Sequence, residues 1–300
     1  MSDLQSYHST PESPSYQSPS YQSSSYRSPS ESCHDDSNNT ELFLDKQIWR
    51  RGGTRIYSGF RGGRNFAVKT IDLVTATQGE IDQFENDWEI HRSLDHPNIV
   101  KAYDFYYRDK TGFMVLELAD CDLHSFVENN KVETSIGSIG LSESVAKRWF
   151  YQILSAVSYL HDNNIAHRDL KLENILVKDN SVMLADFGFS QKIDGDNSLS
   201  NKCGGTIYFL SPELIRSVKT RSLWCLYKTD IWALGVILYA MLLGKFPYKR
   251  EALLSPKLHG LIINGVSPEA KNLLQLMLNL NPDHRPDANT LLNHRWFSSA

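Results

Sequence analysis

The sequence has few cysteines, no excess of positive charge and no apolar run long enough to span a bilayer, and each shortage removes a class of protein. Four cysteines are spread over 300 residues, Cys33, Cys121, Cys203 and Cys225, with no CxxC pair and no His/Cys spacing suited to zinc. A disulfide framework is therefore not expected, and reduced thiols fit a cytoplasmic or nuclear setting. Lys and Arg number 31 against 35 Asp and Glu, a formal net charge of −4, so no broad basic footprint marks nucleic acid as a main partner. The longest nearly uninterrupted apolar run, Ile231 to Gly244, covers 14 residues. That is short for a bilayer and suited to a helix inside a large core, so no membrane insertion is expected. The start MSDLQSYHST has no basic segment followed by an apolar one, and no secretory signal is read from it.

Residues 1–40 are also poor in aliphatic side chains. They contain 14 serines and the repeat YQSPS, YQSSS, YRSPS from Tyr16 to Ser30. With so little apolar surface to bury, the cost of ordering the chain is not offset, and a disordered tail is expected. Thr10, Ser13, Ser18 and Ser28 each precede proline. They read either as phosphate acceptors or as part of a solvated spacer.

From Asp45 onward the patterning is that of packed structure, with enough chain for two lobes. Ile48 to Ile71 reads as strand, turn, strand, a Gly62-Gly63 turn and a third strand, because β-rich runs are broken by residues that tolerate positive φ. GEIDQFENDWEIHRSL carries Ile81, Phe84, Trp88 and Leu94 at helical spacing, while HPNIV (His96–Val100) and FMVLEL (Phe113–Leu118) read as further strand-like runs. In LSESVAKRWFYQILSAVSYLH, Ser142 fits an N-cap, and Val145, Trp149, Ile153, Val157 and Leu160 form one stripe. A β-rich lobe over residues 46–116, a link at 117–123 and a helix-rich lobe over 124–297 are expected.

The chemistry is concentrated after that striped segment. HRDLKLEN (His167–Asn174) brings together a carboxylate, Asp169, a lysine two positions on, Lys171, and an amide, Asn174. DFG (Asp186–Gly188) follows ILVKDNSVMLA, itself strand, turn, strand. Phosphoryl transfer needs a carboxylate to orient and deprotonate a hydroxyl, a cation on the transferring group, and oxygen ligands for magnesium, here Asn174 and Asp186. Either motif alone is weak. Both in order, after FAVK (Phe66–Lys69) and before SPE (Ser211–Glu213), form a specific signal.

On these motifs, together with DIWALGVILY (Asp230–Tyr239) and HRP (His284–Pro286), the chain resembles the eukaryotic protein kinases over residues 46–297. The resemblance implies an α+β, bilobal protein kinase fold with a small antiparallel β-rich N-lobe and a larger α-helical C-lobe. It further implies ATP and Mg2+ as cofactors and Lys69 as the anchor of the α- and β-phosphates. The backbone of Glu117 and Ala119 would meet the adenine edge, Ile48, Ile56, Ala67 and Leu176 would plate the base, and Asp122 would reach the ribose. Asp230 would tie the long buried helix to the catalytic loop, and Arg285 would pair with Glu213. Lys171, and Thr206 within GGTIYFLSPE, make the chain similar to serine/threonine kinases. HRSLDHPNIV and the closing LLNHRWF are most similar to the calcium/calmodulin-dependent and AMP-activated branch, including testis-specific serine kinases. No C-terminal autoinhibitory extension is expected after Phe297.

The sequence departs from the family in three places. Trp49, Arg51 and Thr54 stand where a glycine loop has its glycines, with Gly52 and Gly53 between them. Gly52 and Gly53 either present amides to phosphate, aided by Arg50, Arg51 or Arg55, or the hairpin covers the site loosely. Asp87 stands where relatives place a lysine-pairing glutamate. Glu85 and Glu89 lie about 200° around a helix from it, so a Lys69–Asp87 pair is expected to be weaker than usual or bridged by water. Lys202 occupies the usual activating threonine position. An upstream kinase would act on Ser198, Ser200 or the tail, or the segment is ordered without phosphate. The stretch 246–268 looks shortened, and SVKTRSLWCLY (Ser217–Tyr227) lengthened.

Two readings follow. One is a magnesium- and ATP-dependent kinase acting on serine or threonine hydroxyls of protein substrates, Asp122 and Glu173 favouring basic residues near the acceptor. The other is a pseudokinase, a binding or scaffold module built on the same fold.

Overall fold

The computed structural model describes residues 41–134, 137–193, 199–200, 206–220, 224–249, 261 and 263–298. The tail expected over residues 1–40, Ser198 and Lys202 lie outside them. The first part is a five-stranded antiparallel sheet in the order β1-β2-β3-β5-β4. Its strands are β1 (Phe43–Arg51), β2 (Thr54–Arg61), β3 (Arg64–Asp72), β4 (Ala102–Arg108) and β5 (Thr111–Glu117). Tight hairpins set the register. Gly62 and Gly63 have φ of 54° and 77°, and Asp109 and Lys110 have φ of 48° and 63°, the left-handed turn geometry whose twist matches that of the strands it joins. Phe66, Val68 and Val115 fill one side of the sheet, while Ile71 and Met114 pack with Phe84 of helix α1 (Gln78–His91) on the other.

Helix α1 starts at a capping box. Thr77 accepts from the Glu80 amide, and Glu80 accepts from the Thr77 amide at 2.8 Å, satisfying two amide donors that the first turn leaves without partners. HPNIV is not a strand, contrary to its apolar reading. Asn98 donates its amide to His96 Nδ1 (3.1 Å), and only an isolated bridge links Ile99 to Leu184. Local side-chain bonds to the backbone compete here with a ladder. The strand lies downstream as β4, whose AYDFYYR was not singled out by its pattern.

Helices dominate thereafter. Asp122 caps α2 (Leu123–Asn130), and Ser142 caps α3 (Glu143–Asp162) as expected. Trp149, Ile153, Val157 and Leu160 of α3 are buried. ILVKDNSVMLA forms strands Ile175–Lys178 and Ser181–Leu184 around a turn with Asp179 and Asn180 at φ of 46° and 63°. Beyond α4 (Pro212–Thr220) runs α5 (Leu226–Leu243), an 18-residue helix apolar enough to cross a membrane by composition, yet 83% of it is buried in this core. It stops at Gly244 with φ of 60°, a left-handed C-terminal residue that glycine adopts without a Cβ penalty. Ahead of α5, Trp224–Cys225 pairs antiparallel with Leu199–Ser200. The α+β order read from the sequence, a small antiparallel sheet and then helices, is the one observed.

Arg285 is buried, donating to Glu213 through both terminal nitrogens (2.6 and 2.8 Å) and to the carbonyls of Asn279 and Lys228. Removing one member of a buried ion pair strands the other charge away from water. Glu213→Gln should therefore lower stability by about 3–5 kcal/mol in urea unfolding. A loss below about 1 kcal/mol, the size of one ordinary hydrogen bond, would show that the two carbonyls suffice for the guanidinium.

Candidate active site

Three elements meet at one ammonium group. Lys69 leaves β3 and lies 2.5 Å from Asp87 Oδ2 on α1 and 2.9 Å from Asp186 Oδ1. The short Asp87 thus makes a direct pair, not the weak or water-bridged one expected, because α1 packs close enough to make up the missing methylene. Burial works against the Lys69 charge, but Asp186 and Asp87 outweigh it and raise its pKa. At Asp186 burial is likewise overcome, chiefly by Lys69, and the pKa falls to about 2. The amide of the residue after it, Phe187, donates to Asp87 Oδ1 at 2.9 Å. Asp186 itself has φ of 64°, a left-handed conformation that short polar side chains tolerate best.

The second cluster is built from below by Asp230 of α5. Its two oxygens accept the amides of His167 and Arg168 (both 2.9 Å), and Oδ2 also accepts from His161 Nε2 at 3.0 Å. Arg168 has φ of 67°, a strained value for a long side chain that persists where its surroundings fix it. Burial opposes ionisation of Asp230, and the bonds and charge of His161, aided by His167 and the Arg168 amide, lower its pKa nonetheless. The turn that results presents Asp169, almost fully buried. Lys171 Nζ (2.6 Å) and Asn174 Nδ2 (3.2 Å) both donate to Asp169 Oδ2. Oδ1 has no protein partner among the described residues, so a lone pair is left for a hydroxyl proton.

The remaining expected residues are distributed around these clusters. Ile56 lies directly across from Lys69, and Ala67 is two residues from it on β3, so all three share one face of the sheet. Ile56, Ala67 and Leu176 are half-buried. Ile48, at the bulge where register shifts between Gln47 and Trp49, is 50% exposed. Glu117 ends β5 with its amide on the Lys101 carbonyl (2.9 Å) and its side chain paired to Lys178 (2.7 Å). Ala119 has neither its N–H nor its carbonyl bonded among the described residues. Both Asp122 oxygens are engaged by Ser125 (2.8 and 2.7 Å), while Glu173 is exposed. Thr206 lines a cleft with Arg168, Asp169 and Ser211 but makes no bond to Asp169 or Lys171 among the described residues.

The hairpin tip corrects a second expectation. The Gly53 amide donates to Glu80 Oε1 at 3.4 Å, and a Cβ on Gly52 would lie 1.8 Å from the same oxygen. The tip is turned toward the α1 capping box, and the Gly53 amide is directed to Glu80 in this arrangement. Gly52, at φ of 55°, adopts a left-handed backbone that glycine takes without a Cβ penalty. The Thr-x-x-Glu spacing was the available sequence signal.

For magnesium, the donor set is hard oxygen. Asn174 spends its nitrogen on Asp169, leaving Oδ1 without a partner among the described residues, and Asp186 keeps Oδ2 while 40% of its side chain is exposed. That suits an ion held by one or two side chains, substrate phosphates and water, so the residues fit Mg2+.

Residues 52–297 match the family model described as "Protein kinase domain". The chain belongs to the protein kinase family. It is 34% identical to testis-specific serine/threonine-protein kinase 5 of Mus musculus over 82% of this chain and 67% of that protein. It is likewise 34% identical to serine/threonine-protein kinase kin-29 of Caenorhabditis elegans, over 77% of this chain and 27% of that one. With the carbon catabolite-derepressing protein kinase of Candida albicans it shares 35% identity over 78% of this chain and 37% of the other. The chain therefore spans from about a quarter to two thirds of the length of these relatives.

The kinase lysine offers a direct electrostatic check. A carboxyl held below its ordinary 3.8 contributes stability that is fully present above that pH and lost as pH falls toward about 2. In Lys69→Met the largest influence favouring the Asp186 carboxylate is removed, Lys171 and His167 contributing less, and its pKa should rise by about 1–3 pH units. Carboxyl-carbon NMR from pH 7 downward reads this directly, and an unchanged Asp186 titration would show that Lys69 does not control it.

Proposed function

We propose that the chain is an ATP- and magnesium-dependent serine/threonine protein kinase. The observation that carries the reading is the arrangement around Asp169, where Lys171 and Asn174 occupy one carboxylate oxygen and the other is left for a substrate hydroxyl. In this reading Asp169 orients the serine or threonine hydroxyl and accepts its proton as the oxygen attacks the γ-phosphorus of ATP. The bond from that phosphorus to its bridging oxygen breaks, ADP leaves, and the phosphoryl group ends on the protein substrate. Lys171 offsets charge on the transferring group, and Lys69, already fixed by Asp87 and Asp186, binds the α- and β-phosphates. Asn174 and Asp186 would hold Mg2+, which when bound neutralises charge between the phosphates. The unbonded backbone of Ala119 supports adenine recognition beside Glu117. Exposed Glu173, with less help from the cap-engaged Asp122, would favour basic substrates. Control by a kinase acting on Ser198, Ser200 or the tail belongs to the same proposal.

A pseudokinase reading draws support from one observation, the Gly53 amide tied to Glu80 instead of facing the phosphate region. Labelled γ-phosphate transfer to a basic serine/threonine peptide library, with magnesium and millimolar ATP, separates the two. Asp169→Asn should lower the rate by about 10²–10⁴-fold, the share of a positioned general base. Equal background in both proteins would favour the scaffold.

A further inference from the structure

We propose that Asn86 is a positioning residue for Asp186, and that it compensates for the short acid at position 87; the proposal rests on the phosphoryl-transfer reading above. Asn86 Nδ2 lies 3.2 Å from the Phe187 carbonyl oxygen, 3.1 Å from that of Gly188 and 2.9 Å from that of Ser190. Three acceptors around one atom identify it as the amide nitrogen, whose two N–H groups serve them with one bond shared. The next residue acts in the opposite sense, since Asp87 Oδ1 accepts the Phe187 amide at 2.9 Å. Adjacent side chains on α1 thus take both backbone polar groups of Phe187, the residue directly after Asp186.

The closeness of the helix explains why such a clamp is needed. Asp87 reaches Lys69 at 2.5 Å although it is one methylene shorter than glutamate. Approach of α1 brings its backbone onto the segment, and a Cβ on Gly188 would lie 3.0 Å from the Gln83 carbonyl oxygen. It also gathers the carbonyl oxygens of Phe187, Gly188 and Ser190 around Asn86 Nδ2. The Ser190 amide also donates to the Phe187 carbonyl at 2.9 Å, so a side-chain donor matters chiefly for the carbonyls of Gly188 and Ser190; without it those oxygens are left unpaired, and the segment moves away, taking Asp186 out of register with Lys69 and Asn174. Asn86 supplies that donor.

The full chain, Asn86→Asp, Asn86→Ala, Asp87→Glu and the double variant Asn86→Ala/Asp87→Glu test this together. Asn86→Asp keeps the shape but puts oxygen among three carbonyls. It should lower kcat by about 10–100-fold, the scale of a displacement near 1 Å, and raise the magnesium concentration needed for half-maximal rate. A longer acid lets α1 stand back, so the double variant should recover most of the activity lost in Asn86→Ala. Losses that simply multiply would mean that Asn86 only packs the helix and would overturn the compensation. Hydrogen exchange of the Phe187 and Ser190 amides supplies a readout independent of turnover, with thermal melting confirming that each variant is folded. Faster exchange confined to this segment supports the clamp, and unchanged exchange in both Asn86 variants refutes it. Should the wild-type chain transfer no phosphate, the kinase reading fails while the exchange comparison still decides the role of Asn86.

Discussion

A cation taken out of water must find its counter-charges within the protein, and around Lys69 that requirement joins three parts of the chain. The Lys69 side chain is 13% exposed, and its ammonium group sits between two carboxylates, one on α1 and one on the segment after strand Ser181–Leu184. Breaking such a pair costs about 3–5 kcal/mol because the remaining charge stays buried. Much of the surrounding geometry serves to keep the three groups together. The β2–β3 register sets where Lys69 emerges, the Thr77–Glu80 capping box fixes the start of α1, and Asp186 accepts a left-handed backbone to turn its carboxylate inward.

The turn that carries Asp169 depends on the same physics applied to an anion. Asp230 is buried in the most apolar of the described helices, which is tolerable because two backbone amides and His161 converge on it. The apolar length of α5 and the position of Asp169 are therefore one design. The helix supplies a rigid interior base, and the aspartate transmits that rigidity to a backbone turn containing strained Arg168. Arg285 extends the chain of buried charge from the same helix base toward Glu213.

The polar constellation was legible in the sequence because its chemistry is local and ordered: HRDLKLEN and DFG carry their oxygen and nitrogen donors in fixed spacing. The helical stripe Trp149, Ile153, Val157 and Leu160 was legible because 3.6-residue periodicity reports burial directly. HPNIV misled because apolar character does not show where a backbone finds its bonds, and His96 bonds the Asn98 amide instead. The directness of the Lys69–Asp87 pair was out of reach for a related reason. Side-chain length is written in the sequence, but the distance between a helix and a sheet is set by everything packed between them. Asn86 was missed because asparagine on a helix ordinarily faces solvent, and only the arrival of residues 187–190 gives it three acceptors.

The orientation of the hairpin tip bears differently on the two functional readings than its sequence does. The Gly53–Glu80 contact is long, at 3.4 Å, and Glu80 already accepts from Thr77 at 2.8 and 3.0 Å. Even a hydrogen bond to a charged group contributes about 1.5–3 kcal/mol at good geometry, so a stretched, shared one contributes less. Glu80 therefore loses little if the tip swings away, its capping role being intact without Gly53. A polyanion beneath the hairpin would draw Arg50, Arg51 and Arg55 as well as the amides, and several charge-assisted bonds outweigh one weak one. Lys69 and Asp169, by contrast, are held by short bonds in the interior, and the part-exposed Asp186 is held by Lys69 at 2.9 Å. The hairpin tip is thus the weakly tied part of this arrangement, and the charged groups on β3, α1 and the Asp169 turn are the firmly tied part.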